Sequence, residues 1–250
     1  MDANVIYILW KRQLIRYFRS KSRMVGSIAQ PLLFLLALGF GFSSVFQQAG
    51  QGNYFEFLTP GIISMAILFT AVFTGIEIIS DRQFGFLRES LVAPVSRLEI
   101  MIGRTLGGAT VSSLQGIIVM VIALLVGFVP VSLLMIPVAF VFMFLIATLF
   151  AAIGTAIASR LADLQGFQLI MNFIVMPLFF LSGALFPLAG LPRVVGIISK
   201  IDLLSYGVDG IRSALVGISY FGFAVDFAVL GVSTAFFLAI GSYLFSKMQI

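Results

Sequence analysis

Charged residues are sparse along this chain, and they cut it into long apolar runs. None occurs between Arg23 and Glu56, and the apolar part, residues 25–46, supplies the roughly 20 residues a helix needs to cross a bilayer. A polar loop follows at 47–56. Residues 57–76 are again uncharged and close at Glu77 and Asp81, giving a second span over about 58–79. The uncharged stretch from Arg104 to Arg160 is too long for one span, and Gly127-Phe128-Val129-Pro130 supplies a turn within it. It reads as two spans, 104–127 and 132–158. A fifth, 166–186, is broken or kinked near Pro177 and Pro187, and a sixth covers 225–246. The pattern predicts an all-α membrane protein, one domain of six transmembrane helices, without a soluble domain or a long internal repeat.

Three shorter elements fall between these runs. Residues 2–23 are amphipathic: Arg12, Arg16 and Arg19 share a helical face, and Tyr7, Trp10, Tyr17 and Phe18 are rings favoured at a membrane surface. They predict a helix lying in the interface. Residues 81–101 form the second element. Phe84, Leu87, Leu91, Val95 and Leu98 recur at three or four residues, with Arg82, Arg88, Glu89, Arg97 and Glu99 largely off that stripe. Pro94 should break the helix, after which Ser96 and Glu99 form a capping box for the next one. A charged amphipathic piece between two spans suits a cytoplasmic partner; a solvated interfacial helix is the plainer alternative. The third element, 188–217, reads as two short helices dipping into the outer leaflet. Asp202 is the N-cap of the second, and Asp209 and Arg212 form a pair three apart. Gly103 and Gly107, and Ala147, Ala151, Gly154 and Ala158, let helices approach closely, chiefly within one subunit.

Charge placement orients the whole. Twelve of the fifteen Lys and Arg residues fall on the side holding both termini and 81–101, which the positive-inside bias makes cytoplasmic. The net charge of +5 therefore belongs to topology rather than to nucleic acid. Apolar residues make up 60% and charged ones 10%, against about a quarter charged in soluble domains, and mean hydropathy is +1.14. Cysteine and histidine are absent, which removes thiolate chemistry, the commonest general base and the commonest metal ligand. No phosphate-binding G-x-x-x-x-G-K-[ST] occurs and no metal site is expected. The chain is not expected to be an enzyme, and a removable signal peptide is not expected either. Energy for transport would enter from a partner or an ion. Glu77 and Asp226 are the candidates for an ion route, each at a span end where water reaches. Thr70, Thr74, Gln115 and Asn172 would line a passage, although Asn172 equally suits an interhelical hydrogen bond.

The stretch DRQFGFLRESLVAPVSRLEIMIGR (81–104) resembles the cytoplasmic segment of ABC type-2 permeases. Arg82, Gly85, Leu87, Pro94, Val95, Ser96, Arg97 and Gly103 match the family pattern, while Gln83, Phe86, Arg88 and Arg104 depart from it. A second resemblance lies in LSGALFPLAGLP (181–192) and LLSYGVDGIRSALVG (203–217), where Tyr206, Asp209 and Arg212 match and Leu203 stands in place of a usual proline. The closest branch holds daunorubicin-resistance and nodulation-factor exporters. The resemblance implies the permease subunit of an ATP-driven exporter in the cell (inner or plasma) membrane, carrying a hydrophobic drug or lipid-like substrate. It implies a second permease chain, as homo- or heterodimer, and separate ATPase subunits that bind Mg-ATP, so that this chain needs no cofactor. Arg82, Gly85, Leu87, Arg88, Glu89, Pro94, Ser96 and Arg97 would couple to the ATPase. Pro187, Pro192, Tyr206, Asp209 and Arg212 would belong to an outer gate. The alternatives are an ion-coupled carrier acting alone, glycan or peptide cargo for the same architecture, and a membrane anchor without transport.

Overall fold

The computed structural model describes residues 2–48, 52–85, 95–161, 163–189 and 192–247. All regular structure among them is helical. The helices are α1 (Ala3–Arg19), α2 (Lys21–Gly41), α3 (Ser43–Gln48), α4 (Tyr54–Phe73), α5 (Ile76–Gln83) and α6 (Arg97–Val126). A 3-10 turn at Leu133–Met135 leads into α7 (Ile136–Ala158), followed by α8 (Leu164–Leu181), α9 (Arg193–Ile201), α10 (Leu203–Val216) and α11 (Phe223–Ser246). Six stretches are long and apolar enough to cross a membrane. They are α2, α4 with α5, α6, α7 with its 3-10 turn, α8 and α11.

The helix ends follow local chemistry. Asp2, Asn53, Asp163 and Asp202 each cap the following helix by accepting a backbone N–H two residues on. Gly127 ends α6 in the left-handed region, φ +119°, where a side chain would be strained. Several boundaries differ from the sequence expectation. The amphipathic element stops at Arg19, because the backbone leaves helical geometry at Ser20. The first span divides at Phe42 into α2 and α3. The fifth ends at Leu181 rather than 186: the Ser182 hydroxyl bonds back to the Phe179 carbonyl and Gly183 turns the chain at φ +76°. Pro177 lies inside α8, and Pro187 lies beyond its end.

α4, α6 and α7 form the centre, with α11 packed on α7 and α2 on α4. Ile62, Ile63, Ile67, Leu68, Met143, Ile146 and Phe150 fill it. Contacts between backbones are very close where α4 meets its neighbours. A Cβ on Gly154 of α7 would collide with the Val72 carbonyl, and one on Gly61 with the Ala184 carbonyl. α10 covers the Tyr54–Phe57 end of α4, and the Tyr54 hydroxyl donates to the Leu185 carbonyl in the turn after α8 at 3.0 Å. α1 and α5 lie at the other end.

Candidate functional site

The site begins with how α1 sits on α6. Leu9 and Gln13 press against Gly103 and Gly107, whose missing side chains admit them. Trp10 Nε1 donates to Thr110 Oγ1 at 2.9 Å, and the Tyr17 hydroxyl donates to Gln115 Oε1 at 2.5 Å. Trp10 and Tyr17 are therefore anchors into the bundle, not surface rings as their residue types suggested. A buried polar tip is satisfied best by a partner already held in a helix. Tyr7 and Phe18 stay exposed on the other side of α1.

The same docking brings charges together. Asp81 and Glu77 lie one turn apart on α5 and face α1. Asp81, 3% exposed, accepts from Arg104 Nη2 at 2.6 Å, from Arg16 Nη2 at 3.1 Å and from Arg12 Nη2 at 3.4 Å. Glu77 Oε2 accepts from Arg16 Nη1 at 3.3 Å. Burial pulls the Arg16 guanidinium down, but Asp81 and Glu77 outweigh it and hold the group above its ordinary value. Arg104 is 4% exposed, and its Nε and Nη1 have no partner among the described residues. A desolvated guanidinium thus depends on Asp81 for its countercharge. Glu77 is not at a wetted span end but buried, because Arg16 of α1 lies over it.

Nearby, the start of α6 is tied to the start of α1. Ser96 Oγ accepts from the Glu99 N–H at 3.2 Å, and Glu99 returns the bond to the Ser96 N–H at 3.0 Å. The other Glu99 oxygen accepts from the Asp2 N–H at 2.7 Å. Arg82 and Arg97 are half-buried, and Gly85 adopts φ +80°. Leu87, Arg88, Glu89 and Pro94 lie outside the described residues.

At the opposite end Asp209 and Arg212 do not pair as their spacing suggested. Asp209 accepts from the Tyr220 and Phe221 N–H groups, both at 2.8 Å, and from Ser219 Oγ at 3.1 Å. These bonds tie it to the turn before α11. Arg212 points instead to the turn after α8 and to α4, donating to the Gly183 carbonyl at 2.9 Å and to the Phe57 carbonyl at 3.4 Å, with its guanidinium 4.1 Å from the Phe57 ring centroid. Burial pushes Arg212 down to about 10, with Asp209 opposing the shift. The Tyr206 hydroxyl donates to the Lys200 carbonyl at 2.7 Å, and Pro192 precedes α9. Pro187 borders an apolar cavity of about 300 Å³ with Phe34, Phe46 and Tyr54. Asp202 is pushed up to about 7 by burial, against the pull of the Leu204 N–H and Ser205. Asp226 is buried as well, correcting the expectation of a wetted carboxylate. No N–H or hydroxyl among the described residues reaches it, and the Asp209 carboxyl lies within hydrogen-bonding reach.

The four polar residues assigned to a passage do not converge. Thr70 lines a cavity of about 360 Å³ between α2 and α4, with Ser27, Gln30 and Pro31. Gln115 reaches that cavity only through Tyr17, which lines it. Thr74 bonds back to the Ala71 carbonyl and packs where Gly108 leaves room. Asn172 is exposed on α8. Ser27 and Gln30 also line the Thr70 cavity, and their signal in the sequence is a pair of polar residues three apart near the start of the first apolar run.

Comparison with known proteins gives consistent likenesses. Residues 4–216 match the family described as ABC-2 type transporter. The chain is similar to the putative transport permease ycf38 of Cyanophora paradoxa, 30% identical over 217 residues, covering 83% of this chain and 72% of that protein. It is 28% identical to nodulation protein J of Rhizobium leguminosarum bv. trifolii over 215 residues, covering 84% and 78%. The inner membrane transport permease YadH of Escherichia coli (strain K12) is 26% identical over 233 residues, covering 92% and 90%.

Proposed function

The chain belongs to the ABC-2 type transporter family and is a multi-pass membrane transport permease, and on that premise we propose that it is the membrane half of an ATP-driven exporter. Two permease chains enclose the pathway, and separate cytoplasmic ATPase subunits bind Mg-ATP and engage the 81–101 segment, with both termini on their side. The observation that carries this reading is the ion-paired joint. Asp81 holds Arg12, Arg16 and Arg104, and Glu99 holds the Asp2 N–H, so α1, α5 and α6 behave as one body where 81–101 enters and leaves. A push on that segment then moves the inner ends of α4 and α6 together rather than bending one helix. α9 and α10, anchored by Arg212 to α4, receive the motion at the outer end as a gate.

The substrate is hydrophobic or lipid-like. The α2–α4 cavity supports this, since it is largely apolar and carries only a hydroxyl and amide fringe from Ser27, Gln30 and Thr70. The test is co-purification with a co-expressed ATPase and ATP-dependent movement of a fluorescent lipid analogue in vesicles. Replacing Arg82 and Arg97 together by Glu should detach the ATPase while the permease stays folded. Transport by the purified chain without nucleotide or partner would overturn the reading. It would favour an ion-coupled carrier, for which Glu77 and Asp226 are the candidate carboxyls, and Glu77→Gln or Asp226→Asn should then stop transport.

A further inference from the structure

One side of α1 is consumed by α6 through Leu9, Trp10, Gln13 and Tyr17; the side facing away is basic. Together with the bend at Ser20 it shapes an open groove of about 1120 Å³, lined by Lys11, Arg12, Arg16, Arg19 and Lys21. Its charge is not balanced. Among the described residues, three guanidinium groups meet two carboxylates at the ion-paired joint, an excess of positive charge. Lys11, Arg19 and Lys21 add three more, and none has a carboxylate partner among the described residues. Arg12 and Arg16 keep 37% and 36% of their side chains exposed. Between these cations stand exposed apolar side chains: Tyr7, Ile8 and Ile15 line the same groove, and Ile8 is 61% exposed.

We propose that this groove binds the headgroup of an anionic phospholipid, with the acyl chains lying along Ile8 and Ile15. Two features choose lipid over an acidic protein surface. The groove continues within two residues into a candidate span, so its floor sits at headgroup depth. The apolar residues alternate with the cations, as in helices that lie in a membrane surface, rather than forming a separate patch. The inference rests on the inward placement of α1 but on no ATPase contact.

Trp10 is the sole tryptophan, and it lies on α1 beside the groove, stacked on Tyr7. The purified full chain is reconstituted in phosphatidylcholine vesicles containing rising fractions of dibrominated phosphatidylglycerol, and separately dibrominated phosphatidylcholine. Trp10 quenching should reach half-maximum at a much lower fraction of the anionic lipid. Each cation near an anionic surface contributes about fivefold in affinity, so the Lys11→Gln, Arg19→Gln, Lys21→Gln triple variant should weaken that preference on the order of a hundredfold. Half-molar salt should weaken it in the native chain as well, a check independent of the variant's folding. Equal quenching by the two lipids, or a preference untouched by both the variant and salt, would overturn the proposal. Equal quenching joined to lost ATPase binding in the triple variant would assign the groove to an acidic protein surface instead. A lipid preference without any ATPase association would leave this inference standing and remove the exporter reading.

Discussion

Replacing Asp81 by Asn tests the joint on which the coupling argument depends. The substitution keeps the shape of the side chain and removes its charge. Arg12 and Arg16 then turn to water at small cost, since pairs with a partly exposed partner contribute about 0–1 kcal/mol each. Arg104 cannot do so. At 4% exposure, 2.6 Å from Asp81, it becomes a buried charge without a counterion. Removing one partner of such a pair costs about 3–5 kcal/mol. For a chain of this size that corresponds to a fall in Tm of about 6–20 °C. Arg104→Met alone should cost less, because Asp81 keeps two guanidinium partners. The double variant Asp81→Asn, Arg104→Met should recover much of the loss, since no buried charge remains. The assay is thermal unfolding in detergent micelles followed by Trp10 fluorescence. A loss of no more than about 1 kcal/mol for Asp81→Asn, the value of an exposed pair, would show that Arg104 does not depend on Asp81. Additivity in the double variant would show the same.

Three further expectations follow from packing and charge. Gly154→Ala places a Cβ against the Val72 carbonyl and should destabilise the α4–α7 contact by about 1–3 kcal/mol; unchanged thermal stability would contradict the close approach. Asp226→Asn should leave stability equal or raised by about 1 kcal/mol at pH 7, because an amide can donate to Asp209 where two carboxyls compete; a clear drop in Tm would count against it. Asp202 binds its proton more tightly in the folded state, with a value of about 7 against 3.8. The folded state therefore holds more protons than the unfolded one between those values, and stability should fall as pH rises from about 4 to 7, by at most about 4 kcal/mol. Asp202→Asn keeps the cap on Leu204 and should flatten that slope; an unchanged pH profile in the variant would exclude Asp202 as its source.

Much of the helical layout was legible because it depends on signals a few residues apart. Uncharged runs marked the long helices, Gly127 marked the turn after α6, and the Ser96–Glu99 and Asp202 caps could be read from their spacing. Partners distant in the chain could not. Arg104 counts in the sequence as one more inward cation, and its burial against Asp81 appears only when α5 folds back on α6. Trp10 and Tyr17 carry the residue types of a surface helix, and their acceptors lie 100 and 98 residues away. Asp209 and Arg212 have the spacing of an ion pair, but the turn at 219–221 offers closer N–H donors and α4 offers a carbonyl and a ring. The candidate site is therefore half visible: the element is legible, its wiring is not.

The long chain separations across α1 also set an order of events during synthesis. When the first helix emerges, Asp81, Thr110 and Gln115 do not yet exist, so its arginines have nothing to hold. It goes without these partners while some hundred residues are made. The third long apolar helix is what finally claims it, which makes the arrival of that helix the moment at which α1 acquires a fixed place on the bundle.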